Sequence, residues 1–564
     1  MNYVGTARPI HDAKGKATGY SKYAGDISLS NMAYLCMLHS KIPHGYVKAV
    51  HAEKALALPG VYGVYHCLNT SERKYNRYRS SFDQAYLANE ERAFNQYVRF
   101  VGDKIGAVAA CDQETAEKAA RLVEVEYEEL SFSIGFDDTL AGKNCLDGET
   151  PVRDEYELDV GEKQGSAEGL IEVCSTMELP RLHHATMETH ACIADYDPYS
   201  DMLTVYCPNQ AVHGIRTVLA DFLEMPESHV RVVKATMGGS FGAKQEWFLE
   251  PVTALVAKKL CRPVKLVYSR GEAMTDTIVR GAMRMSARGY YTPDGEMKEI
   301  YCDVTLDAGA YIGNAGDYVR ALAGKPTRCY RIPYMHYHGQ VISSNSPVSG
   351  AFRSWSAAEE ALMMERQLDA AAEKLGMDRL AIRLKNVARS GEEDKKLHLS
   401  LEDIRIGDAI TLGSEKFGWD KLKAEDAAFN ASQQRYRRGV GIGIGGHGNT
   451  YFPRFNDYGE GSISLLSRKQ GSALVSRGRY DRCILVRWQR YDRYGRLCYH
   501  HGPFRILYLV HRRAPCAFPA GSVGCSPHFR QGQLHDDRAA RPFLRPHCFL
   551  YRRDCPAGDL PLHL

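Results

Sequence analysis

The glycine-rich run MGGSFGAK (237–244) is the segment of the 564-residue chain whose composition most strongly suggests chemistry. Glycines allow a loop to bring its main-chain N–H groups close to an anion or an oxo group. The run is not a phosphate-binding P-loop, because Ala243 interrupts the Gly-Lys succession and Gln245 stands where Ser or Thr is needed. It is not a dinucleotide fingerprint either, because Met237 occupies the place of the first glycine. Taken alone, the run is either a ligand site or a tight structural turn.

The run HHATMETH (183–190) contains the residue types of a metal site. It lacks HExxH spacing, and no second group of ligands lies at a convincing distance along the chain. A buried hydrogen-bonding segment is therefore the favoured interpretation, and a metal site is the alternative.

Two further polar residues are candidates for a site. Gln210 follows the alternating segment LTVYC (203–207), and it is either a polar group aimed into a cleft or a surface amide. Arg353 lies in the turn GAFRSW (350–355), where it either orients an anion or a carbonyl or forms an ordinary ion pair.

The elements that must position these residues follow from hydrophobic spacing. A helix is predicted over Thr115–Leu122, with Thr115 as its cap. Another is predicted where Ile215, Val218, Leu219 and Phe222 share one face. Strands are predicted at 203–207, 230–233 and 263–269, helical residues follow the glycine run to about Leu260, and a long helix runs from about Ser356 to Leu375 and ends at Gly376. Because strands and helices mix without regular βαβ alternation, the sequence favours an α+β fold over a doubly wound sheet.

Composition excludes several classes of protein. With 44% hydrophobic and 25% charged residues, the chain is typical of a globular protein of three or four domains. No apolar run reaches the roughly 18 to 20 residues that a membrane-spanning helix needs, and the first residues do not resemble a secretory signal. The 16 cysteines are scattered without a CxxC pair, which predicts a cytoplasmic protein with reduced thiols.

The last part of the chain has a different composition. Residues 470–564 contain 16 Arg and 6 Asp but neither Lys nor Glu, and Glu460 is the last glutamate. Without this segment the chain is mildly acidic, which argues against a nucleic-acid partner. The segment has no sustained hydrophobic period, and arginine without lysine together with excess Cys, His and Pro is typical of out-of-frame reading. An arginine-rich nucleic-acid tail and a Cys/His metal module are the alternatives.

Six motifs occur in a fixed order along the chain: HHATMETH, PNQ, GGSFGAK, RPVKLVYSR, LDAGAY and GAFR. In this order they resemble the large, molybdenum-binding subunits of the xanthine dehydrogenase family, to which aldehyde oxidoreductase, carbon monoxide dehydrogenase and nicotinate dehydrogenase belong. The resemblance runs from about residue 3 to residue 466, and it is specific for the family but not for the substrate. It implies an α/β hammerhead-like domain over 1–130, a linker over 131–165, a first molybdopterin-binding domain over 166–395, the start of a second over 396–466, and an atypical, out-of-frame or disordered tail over 467–564.

The resemblance also implies roles for individual residues. Gln210 resembles the glutamine that hydrogen-bonds the molybdenum oxo group, and Gly239, Phe241 and Gly242 resemble the loop beside the metal, where Gly242 offers its N–H. Molybdenum itself would be held through molybdopterin and not by protein side chains.

Arg353 resembles the substrate-orienting arginine of members that oxidise purines. Gln245 falls where those members place a substrate-binding glutamate, which weakens xanthine or hypoxanthine as the substrate because an amide cannot supply the same proton chemistry. Ser354-Trp355-Ser356 replaces the glycine turn that usually follows the arginine, which indicates a different substrate shape.

The implied activity is the hydroxylation of an electron-poor carbon of an N-heterocycle, purine or aldehyde with oxygen derived from water. The implied cofactor is molybdopterin, in its cytosine dinucleotide form if the source is bacterial, and partner iron–sulfur and FAD subunits would carry [2Fe–2S] and FAD in a possible dimer of heterotrimers. The family's glutamate base lies in a Gly-Glu motif that does not occur after Gly461, so the sequence assigns no catalytic residue and predicts an inactive chain. The alternatives are a non-catalytic fragment that keeps only its subunit-binding surfaces and, more remotely, a nucleotide-binding protein.

Overall fold

The computed structural model describes residues 5–78, 89–142, 144, 146, 150–163, 165, 168–432 and 435–446, together with the main chain of four strands beyond residue 457. The chain divides into two compact units, residues 1–447 and 448–564. The candidate residues all lie in the first unit.

Strands and helices are mixed along the chain. The strands are β1 (Ala33–His39), β2 (Gly45–His51), β3 (Val61–His66), β4 (Lys74–Tyr75), β5 (Glu91–Arg92), β6 (Tyr97–Val98), β7 (Lys104–Ala110), β8 (Glu124–Glu129), β9 (Val152–Gly161), β10 (Ile171–Leu179), β11 (Ala191–Asp197), β12 (Met202–Cys207), β13 (Val230–Lys234), β14 (Val264–Val267), β15 (Ala282–Tyr291), β16 (Met297–Asp307), β17 (Tyr334–Ile342), β18 (Glu393–Asp394), β19 (Leu399–Ser400), β20 (Tyr458–Leu466), β21 (Gly471–Arg479), β22 (Cys483–Tyr491) and β23 (Leu507–Leu509). The helices are α1 (Ala13–Ala17), α2 (Glu53–Leu56), α3 (Gln113–Ala120), α4 (Phe136–Leu140), α5 (Val212–Phe222), α6 (Glu250–Leu260), α7 (Arg270–Asp276), α8 (Ala315–Leu322), α9 (Pro326–Cys329), α10 (Ala357–Leu375), α11 (Arg379–Asn386), α12 (Ile406–Phe417) and α13 (Trp419–Ser432).

A seven-stranded sheet with the order β13-β12-β11-β14-β1-β7-β3 forms the centre of the first unit. Every residue of β7 is buried, as expected for a strand that is covered on both faces. Parallel pairing of β1 with β14 joins strands from before and after residue 130. The main chain that leads to the candidate site therefore starts from one continuous sheet, because β11, β12 and β13 all belong to it.

A second, five-stranded sheet has the order β10-β15-β16-β17-β9. Its inner face packs on α8 and α10 around buried residues such as Met335, Tyr337 and Leu368. Its edge strand β9 pairs antiparallel with β17. Part of the segment that the sequence analysis interprets as a linker is therefore a strand of this sheet.

The predicted helices occur with small shifts in their ends. The four apolar residues that were predicted to share one face of α5 are all buried. Helix α10 ends at Gly376, whose φ of +64° is the left-handed conformation that glycine favours at this place. Helix α3 begins two residues earlier than predicted. Its cap is Asp112, whose carboxylate accepts a hydrogen bond from the main-chain N–H of Thr115, so the prediction of Thr115 as the cap is wrong.

In the second unit, β20, β21, β22 and β23 form an antiparallel sheet in sequential order. The sequence predicts that residues 467–564 are an out-of-frame or disordered tail. Apart from β21, β22 and β23, these residues lie outside the described part of the chain. Among the helices in the described part of the chain, none is both long enough and apolar enough to cross a membrane.

A buried ion-pair network joins the short strand β5 to the central sheet. The carboxylate of Glu91 is paired with the guanidinium of Arg77 and the ammonium of Lys104, and all three side chains are at most 2% exposed. The two cations hold the pKa of Glu91 below its usual range, although burial opposes this. Arg77 and Lys104 thus share one carboxylate, and the buried carboxylate of Asp276 lies 3.9 Å from the Lys104 ammonium.

We expect Glu91→Gln to lower the free energy of unfolding by about 3–5 kcal/mol, because the substitution leaves the buried Arg77 without its ion-pair partner and Lys104 with only the more distant Asp276. Urea unfolding of the full chain measures this. Glu128→Gln is the matched control, since the pair of Glu128 with Lys48 is more than half exposed and solvent screens it. Equal destabilisation by the two substitutions would contradict the importance of the buried network.

Candidate functional site

The glycine loop takes a conformation that its sequence makes possible. Gly239 and Gly242 have φ angles of +97° and +105°, in the region that glycine enters without strain. Phe241 lies between them with a φ of +54°, which is unusual for a bulky residue. Its side chain is 52% exposed. The loop does not run directly into a helix, because α6 begins only at Glu250.

Gly242 brings the glycine loop against the loop that carries Arg353. A Cβ atom built on Gly242 would lie 2.3 Å from the main-chain oxygen of Ala351. Real Cβ atoms do not approach a carbonyl oxygen this closely, so only glycine permits this contact between the two loops. The structure therefore brings the glycine loop and the GAFR turn together.

The hydroxyl of Ser240 fixes the orientation of the Gln210 side chain. The serine Oγ accepts the main-chain N–H groups of Gly242 at 3.3 Å and Lys244 at 3.1 Å, and it lies 2.5 Å from the Gln210 Oε1 atom. Since its lone pairs receive two donors, the hydroxyl donates its own hydrogen to the glutamine oxygen. The amide nitrogen of the exposed Gln210 side chain then points away from the serine as a free donor, with no acceptor among the described residues.

Main-chain donors of the loop are also left over. Within the described residues, the N–H groups of Gly239, Ser240 and Phe241 donate to no acceptor. Ser240 is buried, so an unpaired N–H at this position is costly unless a ligand or water accepts it. Successive N–H groups in a loop of this kind form a concave site for an anion or an oxygen-bearing group.

The segment 183–190 supports the glycine loop from behind. The Glu188 carboxylate accepts the main-chain N–H of Gly238 at 2.7 Å and the ammonium of Lys244 at 2.6 Å. The Lys244 side chain is 1% exposed, and burial lowers its pKa although the pairing with Glu188 opposes this. One carboxylate thus ties the two ends of the loop together.

Two histidines of the same segment hold main-chain carbonyls of both loops. His190 Nε2 lies 3.0 Å from the oxygen of Ala243, and His184 Nε2 lies 2.8 Å from the oxygen of Ala351. A ring nitrogen that faces a carbonyl must carry the hydrogen. Burial lowers the pKa of His184 to about 4 and that of His190 to about 3, so both rings are neutral at pH 7.

The histidine-rich segment is therefore the hydrogen-bonding segment that the sequence favoured. Among the described residues, no group of three or more His, Cys, Asp or Glu side chains could hold a metal ion.

The two proposed substrate residues lie on opposite sides of the contact between the loops. Gln245 is half-buried, and its N–H donates to the oxygen of Gly242 at 3.1 Å. Arg353 is exposed, and its main-chain oxygen accepts a hydrogen bond from Arg280 at 3.2 Å. The main chain next to each residue is thus fixed, while the Arg353 guanidinium is open to solvent.

Sequence reasoning missed the buried acids beneath the loop. Glu188 was visible only as one residue of a histidine-rich run. Glu246 and Glu250 follow the glycine run directly, and burial raises their pKa values to about 8 and about 7. The sequence did contain a signal for them, because Glu246 and Glu250 stand next to the apolar residues at the start of α6. A carboxylate is rarely fully buried there without a reason.

Comparison with known proteins identifies both halves of the first unit. A family model described as "Aldehyde oxidase and xanthine dehydrogenase, a/b hammerhead domain" matches residues 18–131, and one described as "Molybdopterin cofactor-binding domain" matches residues 152–387. Together they cover more than half of the chain. The glycine loop, Gln210 and the GAFR turn all lie within the second match.

Individual relatives agree with these matches. The chain is 30% identical to the xanthine dehydrogenase molybdenum-binding subunit of Escherichia coli O157:H7, over 76% of this chain and 58% of that subunit. It is 29% identical to the nicotinate dehydrogenase large molybdopterin subunit of Eubacterium barkeri, over 67% of this chain and 88% of that subunit. The match to the Escherichia coli subunit thus spans little more than half of its length.

A solved structure shows the same fold. Quinoline 2-oxidoreductase from Pseudomonas putida 86 superposes with a TM-score of 0.69 and 23% identity, over 76% of this chain and 56% of that one. At this level of identity, the likeness is evidence for the fold alone.

The neutral histidines predict a specific dependence of stability on pH. In the unfolded chain a histidine binds a proton near pH 6.5, whereas folded His190 stays neutral down to about pH 3. Lowering the pH from 7.5 to 5 therefore stabilises the unfolded state, and His190 alone costs the folded protein about 2 kcal/mol at pH 5. His190→Gln keeps a donor at the same place but does not titrate.

We expect the difference in unfolding free energy between the wild type and His190→Gln to shift by about 2 kcal/mol in favour of the variant between pH 7.5 and pH 5. Urea unfolding at both pH values measures this shift, and pH effects of the buried glutamates are common to both proteins. His213→Gln, at an exposed histidine of α5, is the control and should show no such shift. A constant difference would mean that His190 is not held neutral.

Proposed function

The chain belongs to the xanthine dehydrogenase family of molybdenum hydroxylases, and from this premise we propose that it is the molybdenum-binding subunit of an oxidoreductase that hydroxylates an electron-poor carbon with oxygen from water. The observation that carries the proposal is the set of unpaired donors at the glycine loop: the N–H groups of Gly239, Ser240 and Phe241 and the amide nitrogen of Gln210. All four donors lie at the glycine loop, and among the described residues none of them has an acceptor.

These donors fit an oxygen-rich cofactor. A molybdenum–pterin group presents oxygen atoms that accept hydrogen bonds, and the N–H group of the buried Ser240 needs such an acceptor. When bound, the cofactor supplies a metal that takes up two electrons from the substrate. The part of this chain is to hold and orient it: Gln210 donates to one of its oxygens, and Gly239, Phe241 and Gly242 let the main chain approach closely.

The loop at Arg353 supplies the substrate side of the site. Its exposed guanidinium is a fixed-charge donor that orients a carbonyl or a ring nitrogen of the substrate. Gln245 offers a neutral amide, which donates and accepts but does not take up a proton. This pair suits a neutral N-heterocycle or aldehyde better than xanthine or hypoxanthine.

The partners and the form of the cofactor are part of the proposal. We propose that electrons leave through [2Fe–2S] and FAD groups on separate subunits, that the cofactor is the cytosine dinucleotide form, and that the assembly is a dimer of heterotrimers. The relatives named as molybdenum-binding and large molybdopterin subunits support the division into subunits. Unpaired cysteines throughout the described residues support a cytoplasmic, reducing location.

A second candidate function is a non-catalytic chain that keeps only its subunit-binding surfaces. The observation that favours it is that residues 461–564 contain no glutamate, although the family resemblance places the base that removes a proton during hydroxylation in this part of the sequence. The two candidates differ in bound molybdenum and pterin, which only the first retains, and in turnover with purines, aldehydes and N-heterocycles when partner subunits are present.

We expect the full chain, purified from molybdenum-replete cells, to retain molybdenum and pterin. Gln210→Leu should reduce this retention about tenfold, because a hydrogen bond to a charged group contributes roughly 1.5–3 kcal/mol. Metal analysis and pterin fluorescence after oxidation measure it.

Gln113→Leu is the matched control, since Gln113 makes a side-chain hydrogen bond within α3, away from the loop. Absence of molybdenum and pterin from the wild-type chain would contradict the proposed function. Equal retention by Gln210→Leu and the control would contradict the role given to Gln210.

A further inference from the structure

The turn that follows Arg353 is built from residues that disfavour its conformation. Ser354, Trp355 and Ser356 have φ angles of +73°, +37° and +71°. Only glycine adopts such angles without strain, and three successive residues of other types in this region are rare. Strained main chain persists only where the surroundings hold it in place.

Two cations donate hydrogen bonds to this turn and to the residue before it. The ammonium of Lys325 donates to the main-chain oxygen of Trp355 and to Oγ of Ser356, both at 2.5 Å. The guanidinium of Arg280 donates to the main-chain oxygen of Arg353 at 3.2 Å. Charged donors thus bond to the main-chain oxygens of the residues on both sides of Ser354. Hydrogen bonds from charged donors are stronger than those from neutral donors.

One of the two cations has a buried carboxylate at the start of α10. Nε of Arg280 lies 2.8 Å from the carboxylate of Glu359, and Glu360 is the next residue of the helix. Glu359 and Glu360 are 1% and 2% exposed. A carboxylate at a helix N-terminus is also favoured by the helix dipole, so the same helix that begins after the turn supplies the counter-charge of Arg280.

An aromatic contact completes the enclosure. The Trp355 ring packs edge-on against Tyr318 of α8, with ring centroids 5.7 Å apart. Such contacts add modestly to the burial of both rings. An ordinary stabilising salt-bridge network would also place cations and carboxylates together, but it would not need to bond to main-chain oxygens of a strained turn.

We propose that Lys325 and Arg280 are positioning residues, which hold the left-handed turn 354–356 and thereby fix the main chain from which Arg353 meets the substrate. The inference rests on the proposed function only in giving Arg353 a substrate. The turn, its strain and its two cationic partners are properties of the chain without cofactor.

The test uses Trp355 as its own reporter. The fluorescence of Trp355 in the full chain is obtained as the difference between the wild type and Trp355→Phe, because the sequence holds only four tryptophans. We expect Lys325→Met to raise acrylamide quenching of this component about twofold, since the released turn opens locally. Lys374→Met, which removes a lysine-to-carbonyl bond at the other end of α10, should leave it unchanged.

Rescue by glycine separates positioning from general stabilisation. Ser354→Gly relieves the strain at one of the three positions, so in the Lys325→Met chain it should return the quenching of Trp355 toward the wild-type value. A merely structural role of Lys325 would not be rescued by a change in the turn. Unchanged quenching in Lys325→Met, or no rescue by Ser354→Gly, overturns the proposal.

If Lys325→Met does not fold, Ser356→Ala replaces it, because that substitution removes one of the two bonds and leaves the ammonium bound to Trp355. The expected rise in quenching is then smaller, and the same rescue applies; no rise overturns the proposal. No cofactor or substrate takes part in this experiment. Its failure is therefore distinguishable from failure of the proposed function, which shows as loss of molybdenum and pterin.

Discussion

The contact between Gly242 and the carbonyl group of Ala351 is the constraint on which the candidate site depends. Any side chain at position 242 would collide with that carbonyl oxygen, so the two loops meet only because glycine stands there. The same oxygen accepts the hydrogen bond of His184. One carbonyl group thus fixes the distance between the glycine loop and the loop that carries Arg353.

Segment 183–190 holds this contact through hydrogen bonds from two neutral histidines and an ion pair of one glutamate. Its two buried histidines are neutral donors to main-chain carbonyls, whereas Glu188 carries its charge to the buried ammonium of Lys244. A buried charge without a partner would be costly, and a buried neutral imidazole with a hydrogen bond is not. These side chains bond to other groups of the two loops. Among the described residues, the N–H groups of Gly239, Ser240 and Phe241 therefore stay unpaired.

Local pattern predicted the elements but not the contacts between them. Helix α10 and the apolar face of α5 followed from residue spacing, because burial on one face is a local property of the sequence. The edge strand β9 did not, since its alternating polar residues resemble a linker when the partner β17, almost 200 residues away, is not known. The glycine run indicated a close approach, but only the fold shows that Ala351 approaches it.

The roles of single residues were harder to predict for the same reason. The segment HHATMETH was recognised as hydrogen-bonding. The bonds of Glu188 to Gly238 and Lys244 were not predicted, because their partners lie 50 and 56 residues away in the sequence. The left-handed turn 354–356 could not be predicted at all, because serine and tryptophan both prefer negative φ and the cations that hold the turn come from distant elements.

Hydrogen exchange on the full chain tests most directly whether segment 183–190 holds the two loops as one unit. In Glu188→Gln the ammonium of Lys244 loses its counter-charge, and the account predicts faster amide exchange both in 238–244 and in 350–356, because the loops share the contact at Gly242. Faster exchange in 238–244 alone, or in neither segment, would show that the loops are positioned independently and would contradict the account.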